Sequence, residues 1–322
     1  MQQTAAQGGE AFKISFIVTF YNIPLDMLRQ CVESILALSL QPEEREILLI
    51  DDGSPIDPSP VVADFAPSIR YHRQENQGPA VARNVGFDLA EGSHLQFVDA
   101  DDRLLPKVYN ACIDLVRRQR EIDVLAFAYT HDRGGESRFV CTPPVTGPEY
   151  MLHNNLRGVN CIYLFHRQLL GDLRFRPGIL HEDEEFVPQL LLKARCLVTT
   201  KACAYFYRRR EGSIVNSGER AHLQKRMADT ETVIDSLYQM AQSFPSPGRE
   251  AMLRRVHQLT MDHLYNTMCL ADTTDEVEET VDRLRTQGLF PLPDRRYTWK
   301  YTCFRLLTAS RMGRNILFKL LS

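Results

Sequence analysis

Residues 13–54 read KISFIVTFYNIPLDMLRQCVESILALSLQPEEREILLIDDGS, a stretch that predicts a β-strand, an α-helix and a second β-strand. Alternating apolar residues over 13–20 predict a strand that ends at Tyr21. Pro24 suits a first helical turn, and the apolar residues after it recur at three- and four-residue steps. The apolar run 46–50 then stops at an acidic turn. This order predicts a β-α-β unit with parallel strands.

The same alternation continues to about residue 130. Further strands are predicted at 69–72, 94–98 and 123–129, and further helices at 79–90 and 106–120. We therefore expect an α/β fold with a mainly parallel sheet, helices on both faces, and ligands at the carboxyl ends of the strands.

The chain has 322 residues, of which 44% are hydrophobic and 25% charged, enough for one large domain and a smaller one. From about residue 221 onward the periodicity is helical. We predict a disordered tail over 1–12, a catalytic domain over 13–217 and an α-helical C-terminal subdomain over 218–322.

Composition excludes several classes of protein. A net charge of −3 argues against nucleic-acid binding through a basic face. No apolar run reaches the roughly 20 residues that cross a bilayer. The eight cysteines include no C-x-x-C pair and the chain opens on a polar stretch, so we expect reduced thiols and a cytoplasmic location. Motifs for ATP hydrolysis, nicotinamide binding, zinc proteolysis and serine hydrolysis are absent from the sequence.

Asp99, Asp101 and Asp102 form the strongest candidate site, between the strand HLQFV and a predicted helix. Carboxylates packed this closely repel each other unless a cation binds them. Oxygen ligands favour magnesium, manganese or calcium over zinc. The alternative is a solvated acidic loop that caps the following helix.

Three further clusters are weaker when taken singly. The turn 51–54, DDGS, also follows an apolar strand, but D-G-S is a common turn sequence. Glu182 and Asp183, within HEDEEF, could accept a proton or could merely favour a helix dipole. The three arginines of 208–210 could neutralise a diphosphate or could be a solvated charge run.

Six sequence blocks occur in a characteristic order. They are SFIVTFYN at 15–22, ILLIDDGS at 47–54, ENQGPAVARNVGFDLA at 75–90, FVDADDRLLP at 97–106, HEDEEF at 181–186 and YFYRRREGSIVNS at 205–217. Over about residues 13–217 this series resembles the family 2 glycosyltransferases, which are inverting enzymes of the GT-A fold. The likeness is strongest to bacterial members that build capsules, lipopolysaccharide and wall polymers.

The resemblance implies a nucleotide-sugar donor pocket. Thr19 and Tyr21 match positions that hold a pyrimidine base, and Asp52 matches a carboxylate that accepts from the uracil ring N–H. Arg83 matches a basic residue near the base and the phosphates. Arg208 and Arg209 match a late basic segment that closes over the diphosphate.

The family's D-x-D metal motif falls on Asp99 and Asp101, with Asp102 beside them. We rank Asp101 first and Asp102 second as direct ligands of manganese or magnesium, and we assign Asp99 to the ribose or the metal. By the same matching Asp183 is the catalytic base. Glu182 orients the acceptor or the base.

The implied function is metal-assisted transfer of a hexose from a UDP-sugar to a hydroxyl of a glycan or lipid-linked acceptor, with inversion, in cell-surface polysaccharide biosynthesis. The chain lacks the transmembrane helices and Q-x-x-R-W motif of processive members, so one sugar is expected per binding event. The alternatives are a catalytically degenerate nucleotide-sugar-binding partner subunit, a nucleotidyltransferase, or a nucleotide-sugar hydrolase. Which sugar, acceptor and oligomeric state apply is left open.

Residues 295–322 contain seven basic residues, several aromatic residues and no acidic residue. A helix of this composition suits peripheral contact with an anionic membrane. The alternative is a helix packed on the catalytic domain or on a second subunit. Gly313 is expected to interrupt the helix.

Overall fold

A computed structural model describes residues 11–132, 138–209 and 220–321. Within them the chain forms two compact units, one built from segments up to 145, 159–178 and 194–209, the other from 146–158, 179–193 and 220–321. The predicted tail lies outside the described residues except for its last two, and so does the predicted boundary between 217 and 218. Those boundaries remain predictions. The sequence did not predict that segments 146–158 and 179–193 belong to the same unit as the C-terminal helices.

The first unit is built on one eight-stranded sheet. Its strands are β1 (Ile14–Phe20), β2 (Arg45–Asp52), β3 (Ile69–Gln74), β4 (His94–Asp99), β5 (Arg103–Leu104), β6 (Val124–Thr130), β7 (Tyr163–His166) and β8 (Leu197–Phe206). The strand order is β3-β2-β1-β4-β7-β6-β8-β5. The half from β3 to β4 is parallel. Strand β7 runs antiparallel to both β4 and β6, so the whole sheet is mixed.

Helices of the first unit flank this sheet. They are α1 (Leu25–Leu36), α2 (Ser59–Asp64), α3 (Pro79–Leu89) and α4 (Pro106–Arg118). Consecutive residues Phe16, Ile17 and Val18 of β1 are all fully buried, although neighbouring side chains point to opposite faces. Both faces of the central strand are therefore covered, and the predicted α/β class with flanking helices is confirmed.

The second unit is helical. It contains α5 (Gly147–His153), α6 (Glu182–Leu192), α7 (Arg220–Ser243), α8 (Gly248–Leu270), α9 (Thr274–Thr286), α10 (Trp299–Thr308) and α11 (Arg311–Leu321). Buried residues of α7, α8 and α9, among them Leu237, Val256 and Val281, form its core. Among the described helices, none is both long and apolar enough to cross a membrane.

The C-terminal segment corrects one detail of the sequence interpretation. The helix ends between α10 and α11 at Ala309 and Ser310, while Gly313 lies inside α11. A Cβ atom at Gly313 would come within 1.9 Å of the Leu307 carbonyl oxygen. Gly313 thus permits the first turn of α11 to approach the last turn of α10 closely. The prediction that Gly313 interrupts the helix was wrong.

Candidate active site

The carboxyl ends of the parallel strands meet at one edge of the sheet. Thr19 of β1 lies between Ile50 of β2 and Asp99 of β4 in the strand register. Just beyond, the Ser54 hydroxyl accepts a hydrogen bond from the Asn22 backbone N–H at 3.0 Å. The structure therefore brings the turns after β1, β2 and β4 together, as predicted for a ligand site in a parallel sheet.

Asp52, at the end of β2, is buried and holds the loop that precedes α3. Its carboxylate accepts from the backbone N–H groups of Gln77 at 2.9 Å and Gly78 at 2.8 Å, and from the Gln74 side-chain amide at 2.8 Å. A carboxylate has about four acceptor positions, so about one stays open to a ligand N–H. The predicted contact of Asp52 with a nucleobase remains a prediction, as do the roles of half-buried Thr19 and 45%-exposed Tyr21.

The acidic residues after β4 form a tight turn in which the Asp102 N–H donates to the Asp99 carbonyl oxygen at 2.9 Å. Asp102 is buried, and its two oxygens accept from the Tyr205 hydroxyl at 2.8 Å and the Arg208 backbone N–H at 2.7 Å. Asp99 and Asp101 are only half-buried. The turn is thus anchored by Asp102, while Asp99 and Asp101 are more exposed.

Negative charge is concentrated at this turn. Burial, followed by the charges of Asp99 and Asp101, raises the pKa of the Asp102 carboxyl to about 8, although the hydrogen bonds from Arg208 and Tyr205 oppose the rise. A cation bound at the turn would offset this repulsion. The chemistry of the site therefore fits a divalent metal ion.

Within the residues the structure describes, no group of three or more His, Cys, Asp or Glu side chains is arranged to hold a metal ion. Magnesium typically takes one or two protein carboxylates and completes its shell with water and substrate phosphates. Asp99 and Asp101 suit such an open site. Each Asp102 oxygen accepts one hydrogen bond within the protein, so Asp102 anchors the turn, and which of the three carboxylates ligates a metal remains a prediction.

Two arginines flank the acidic turn. Arg83, on α3, is buried, and one of its guanidinium nitrogens lies 3.5 Å from an Asp99 carboxylate oxygen. Arg208 donates from Nε to the Asp101 carbonyl oxygen at 2.7 Å and from Nη2 to the Gln30 amide oxygen at 2.9 Å. Positive charge is therefore fixed on two sides of the carboxylates. Arg209 is exposed.

Tyr205 was missed in the sequence interpretation although it lies in the β-like run just before the arginines. It is fully buried. Its oxygen accepts from the Asp99 N–H at 3.1 Å while its hydroxyl donates to Asp102. Strand β5 also pairs with β8, setting Leu104 opposite Tyr205. Tyr205 thus holds both ends of the acidic turn, at Asp99 and at Asp102. Local sequence does not reveal this role.

Replacing Tyr205 by phenylalanine should lower the free energy of unfolding by about 2 kcal/mol, because a buried N–H and a carboxyl each lose their partner. Chemical denaturation measures this. Tyr109→Phe is the matched control, since its buried hydroxyl donates to Gln96 at 2.9 Å away from the turn. Both variants should lose stability, but only Tyr205→Phe should weaken metal-dependent nucleotide binding. Equal nucleotide affinity in both would remove Tyr205 from the site.

Glu182 and Asp183 begin α6 in the second unit. Glu182 is buried and Asp183 is half-buried. Within this unit α6 is held by α7 and α8: Ser236 donates to the Glu185 carboxylate at 2.5 Å, and Arg255 pairs with Glu184. The first turn therefore has a fixed position on the helical unit. The roles of Asp183 as base and of Glu182 as its neighbour stay predictions.

The mixed eight-stranded sheet with its flanking helices is an α/β fold of the GT-A type. The solved structure of S. aureus TarS, residues 1–349, in complex with UDP-GlcNAc matches this chain with a TM-score of 0.68 at 16% identity, covering 95% of this chain and 89% of that chain. Residues 15–166 match the family model described as glycosyl transferase family 2. The match covers just under half of this chain, and over these residues the chain is similar to the family 2 glycosyltransferases.

Curated relatives agree with this family. An uncharacterized glycosyltransferase of Escherichia coli K12, YibD, is 26% identical over 213 residues, which are 61% of this chain and 61% of the relative. The minor teichoic acid biosynthesis protein GgaB of Bacillus subtilis 168 is 26% identical over 212 residues, 62% of this chain and 23% of the relative. The similarity thus spans only part of each relative.

Proposed function

We propose that the protein transfers a hexose from a UDP-sugar to a hydroxyl of a glycan or lipid-linked acceptor, with metal assistance and inversion at the anomeric carbon. One observation carries the proposal: the turn of Asp99 and Asp101, fixed between Arg83 and Arg208 at the carboxyl edge of the sheet. Carboxylates and guanidinium groups in one place suit a diphosphate with its counterion.

The donor nucleotide would lie over the parallel half of the sheet. In this proposal Thr19 and Tyr21 contact the pyrimidine base, and Asp52 uses its remaining acceptor position for the uracil ring N–H. The loop at Gln77 and Gly78 orients the Asp52 carboxylate through two backbone N–H donors. Uridine is thereby favoured over bases that lack an N–H at that point.

Asp101 and Asp99 would hold a divalent ion, manganese or magnesium. Such an ion supplies charge neutralisation for the diphosphate as the nucleotide leaves. Arg83 binds the donor from α3. Arg208 would contribute at the other side of the turn, where its present hydrogen bonds to Asp101 and Gln30 orient the guanidinium, and exposed Arg209 would follow it.

Asp183 would accept the proton of the attacking acceptor hydroxyl, with Glu182 orienting the acceptor. The hydroxyl oxygen forms a bond to the anomeric carbon as the bond to the diphosphate oxygen breaks. Attack from the face opposite the leaving group inverts the configuration, and the transition state resembles an oxocarbenium ion. No covalent enzyme intermediate is needed.

The similarity to a minor teichoic acid biosynthesis protein of B. subtilis supports a role in building a bacterial cell-surface polymer. We locate the activity in the cytoplasm, peripheral at the inner face of the membrane. A lipid-linked acceptor would present its hydroxyl there.

Product analysis tests the proposal. The purified protein is incubated with an isotopically labelled UDP-sugar, manganese and a fraction of lipid-linked glycans. The expected products are UDP and a labelled glycan whose new linkage has inverted configuration by NMR. Free labelled sugar alone would indicate a hydrolase, and labelled sugar 1-phosphate, released as the uridylyl group moves to another molecule, would indicate a nucleotidyltransferase. Donor binding without turnover on any acceptor fraction would favour a degenerate partner subunit.

A further inference from the structure

Helices α10 and α11 each expose one apolar stripe. On α10, Trp299 and Leu306 lie seven residues apart on the same face and are 74% and 60% exposed. On α11, Met312 and Leu320 are 73% and 75% exposed, with exposed Ile316 midway between them. Single exposed apolar residues are ordinary on protein surfaces. Five at helical spacing on two consecutive helices are not scattered, and they indicate a docking surface.

The opposite faces of these helices explain why the stripes point outward. Tyr301 of α10 is fully buried, and its hydroxyl donates to the Pro293 carbonyl oxygen at 3.1 Å. On α11, buried Arg314 donates to Glu278 of α9 at 2.8 Å, and Leu317 packs against the helical core. Both helices are therefore anchored by one face. The apolar stripes lie on the faces that this packing leaves exposed.

The charges around the stripes are basic. Arg305 is paired with Asp294, and Arg314 with Glu278, so these two serve the fold. In the described part of the chain, Arg296, Lys300 and Lys319 are exposed and make no ion pair. Lys300 directly follows Trp299, and Lys319 directly precedes Leu320. Each apolar stripe thus has an adjacent cation that no carboxylate neutralises.

We propose that this C-terminal surface, formed by Trp299, Leu306, Met312, Ile316, Leu320 and the neighbouring Lys300 and Lys319, docks the protein onto an anionic lipid bilayer. Apolar side chains insert at the boundary of headgroups and acyl chains while lysines contact anionic headgroups. The bilayer fits better than a second copy of the chain. A symmetric contact of this surface with itself would bring two sets of the same unpaired lysines into one interface.

This surface identifies the residues that would hold the protein at the proposed peripheral location on the membrane. The docking proposal rests on the proposed function only for its purpose, which is to bring the enzyme to a lipid-linked acceptor. Docking itself requires no donor, metal or catalysis. Membrane binding and nucleotide binding are therefore separable measurements.

Vesicle cosedimentation tests the proposal with the full chain. The wild type should bind vesicles of phosphatidylcholine with about one third phosphatidylglycerol at low salt, and bind much less to phosphatidylcholine alone. Raising the salt to about 0.5 M should weaken binding, because screening shortens the range of the lysine contacts. No binding to the anionic vesicles at low salt would overturn the proposal, whatever the outcome of nucleotide titrations.

Two sets of variants assign the binding to this surface. Leu306→Glu with Leu320→Glu should lower the bound fraction at least about tenfold, since both apolar contacts are lost. Lys300→Ala and Lys319→Ala should each weaken binding to anionic vesicles about fivefold. Val140→Glu is the matched control, because Val140 is exposed and lies in the first unit. All variants should bind UDP as the wild type does.

A second copy of the chain is the competing occupant. Light scattering over a range of protein concentrations would then show a dimer that Leu306→Glu with Leu320→Glu dissociates. That result, together with vesicle binding unchanged in the double variant, would assign the surface to self-association and overturn the membrane proposal. A monomer at all concentrations, with vesicle binding lost in the double variant, is the result we expect.

Discussion

Asp183→Asn should reduce the turnover number about 10³-fold, because asparagine keeps the shape of the side chain but cannot accept the acceptor proton. General bases contribute roughly 10² to 10⁴ in rate. UDP affinity should stay within about twofold of the wild type, since the nucleotide contacts are proposed on the other unit. The free energy of unfolding should change little. Steady-state transfer assays and calorimetry measure the two quantities separately.

The control for Asp183→Asn is Asp172→Asn, which makes the same chemical change at an exposed position of the first unit. It should leave transfer unchanged. Full turnover in Asp183→Asn would remove Asp183 from the mechanism and leave the base unassigned. A loss of folding in Asp183→Asn would change its circular dichroism and weaken UDP binding. A purely catalytic effect would leave both unchanged.

Asp101→Ala should abolish the gain in UDP affinity that manganese provides and lower the turnover number about 10²- to 10³-fold. The physical reason is the loss of one of two proposed carboxylate ligands, and with it the charge neutralisation of the leaving diphosphate. The backbone of the turn should survive, because Asp102, Tyr205 and Arg208 fix it without the Asp101 side chain. Calorimetric titration with and without manganese measures the affinity.

Asp102→Asn separates ligation from anchoring. If Asp102 mainly anchors the turn, the amide oxygen of Asn can accept from the Arg208 N–H while its NH2 donates to the Tyr205 oxygen, and manganese-dependent binding should fall by less than about tenfold. A loss as large as that of Asp101→Ala would restore Asp102 as the direct ligand, in the order ranked from the sequence.

The first half of the fold was predictable because its signals are local. Strands β1 and β2 were predicted over 13–20 and 46–50, within two residues of their observed edges, and the helical period after Pro24 predicted α1. The order β4-β7-β6-β8 was not predictable in the same way. It depends on pairings such as Gln96 with Leu164, between residues far apart in the chain, which no local pattern encodes.

The candidate site shows the same division. Asp99, Asp101 and Asp102 stood out because acidic residues follow an apolar strand directly. The anchoring role of Tyr205 depends on the two-residue strand β5, which is too short to have a period. Likewise, Arg254 and Arg255 look like solvated charges in sequence, yet both are buried and donate to the Leu152 and Leu156 carbonyl oxygens. Through these contacts the segment with α5 belongs to the helical unit. The sequence alone does not show that this segment belongs there.

Titration of the wild-type protein with UDP in a calorimeter, with and without manganese, tests the central claim most directly. Guanosine and cytidine diphosphates serve as comparisons in the same experiment. The account predicts saturable UDP binding that manganese strengthens and that exceeds binding of the other two nucleotides. Folded protein that binds none of the three, with or without manganese, would contradict it.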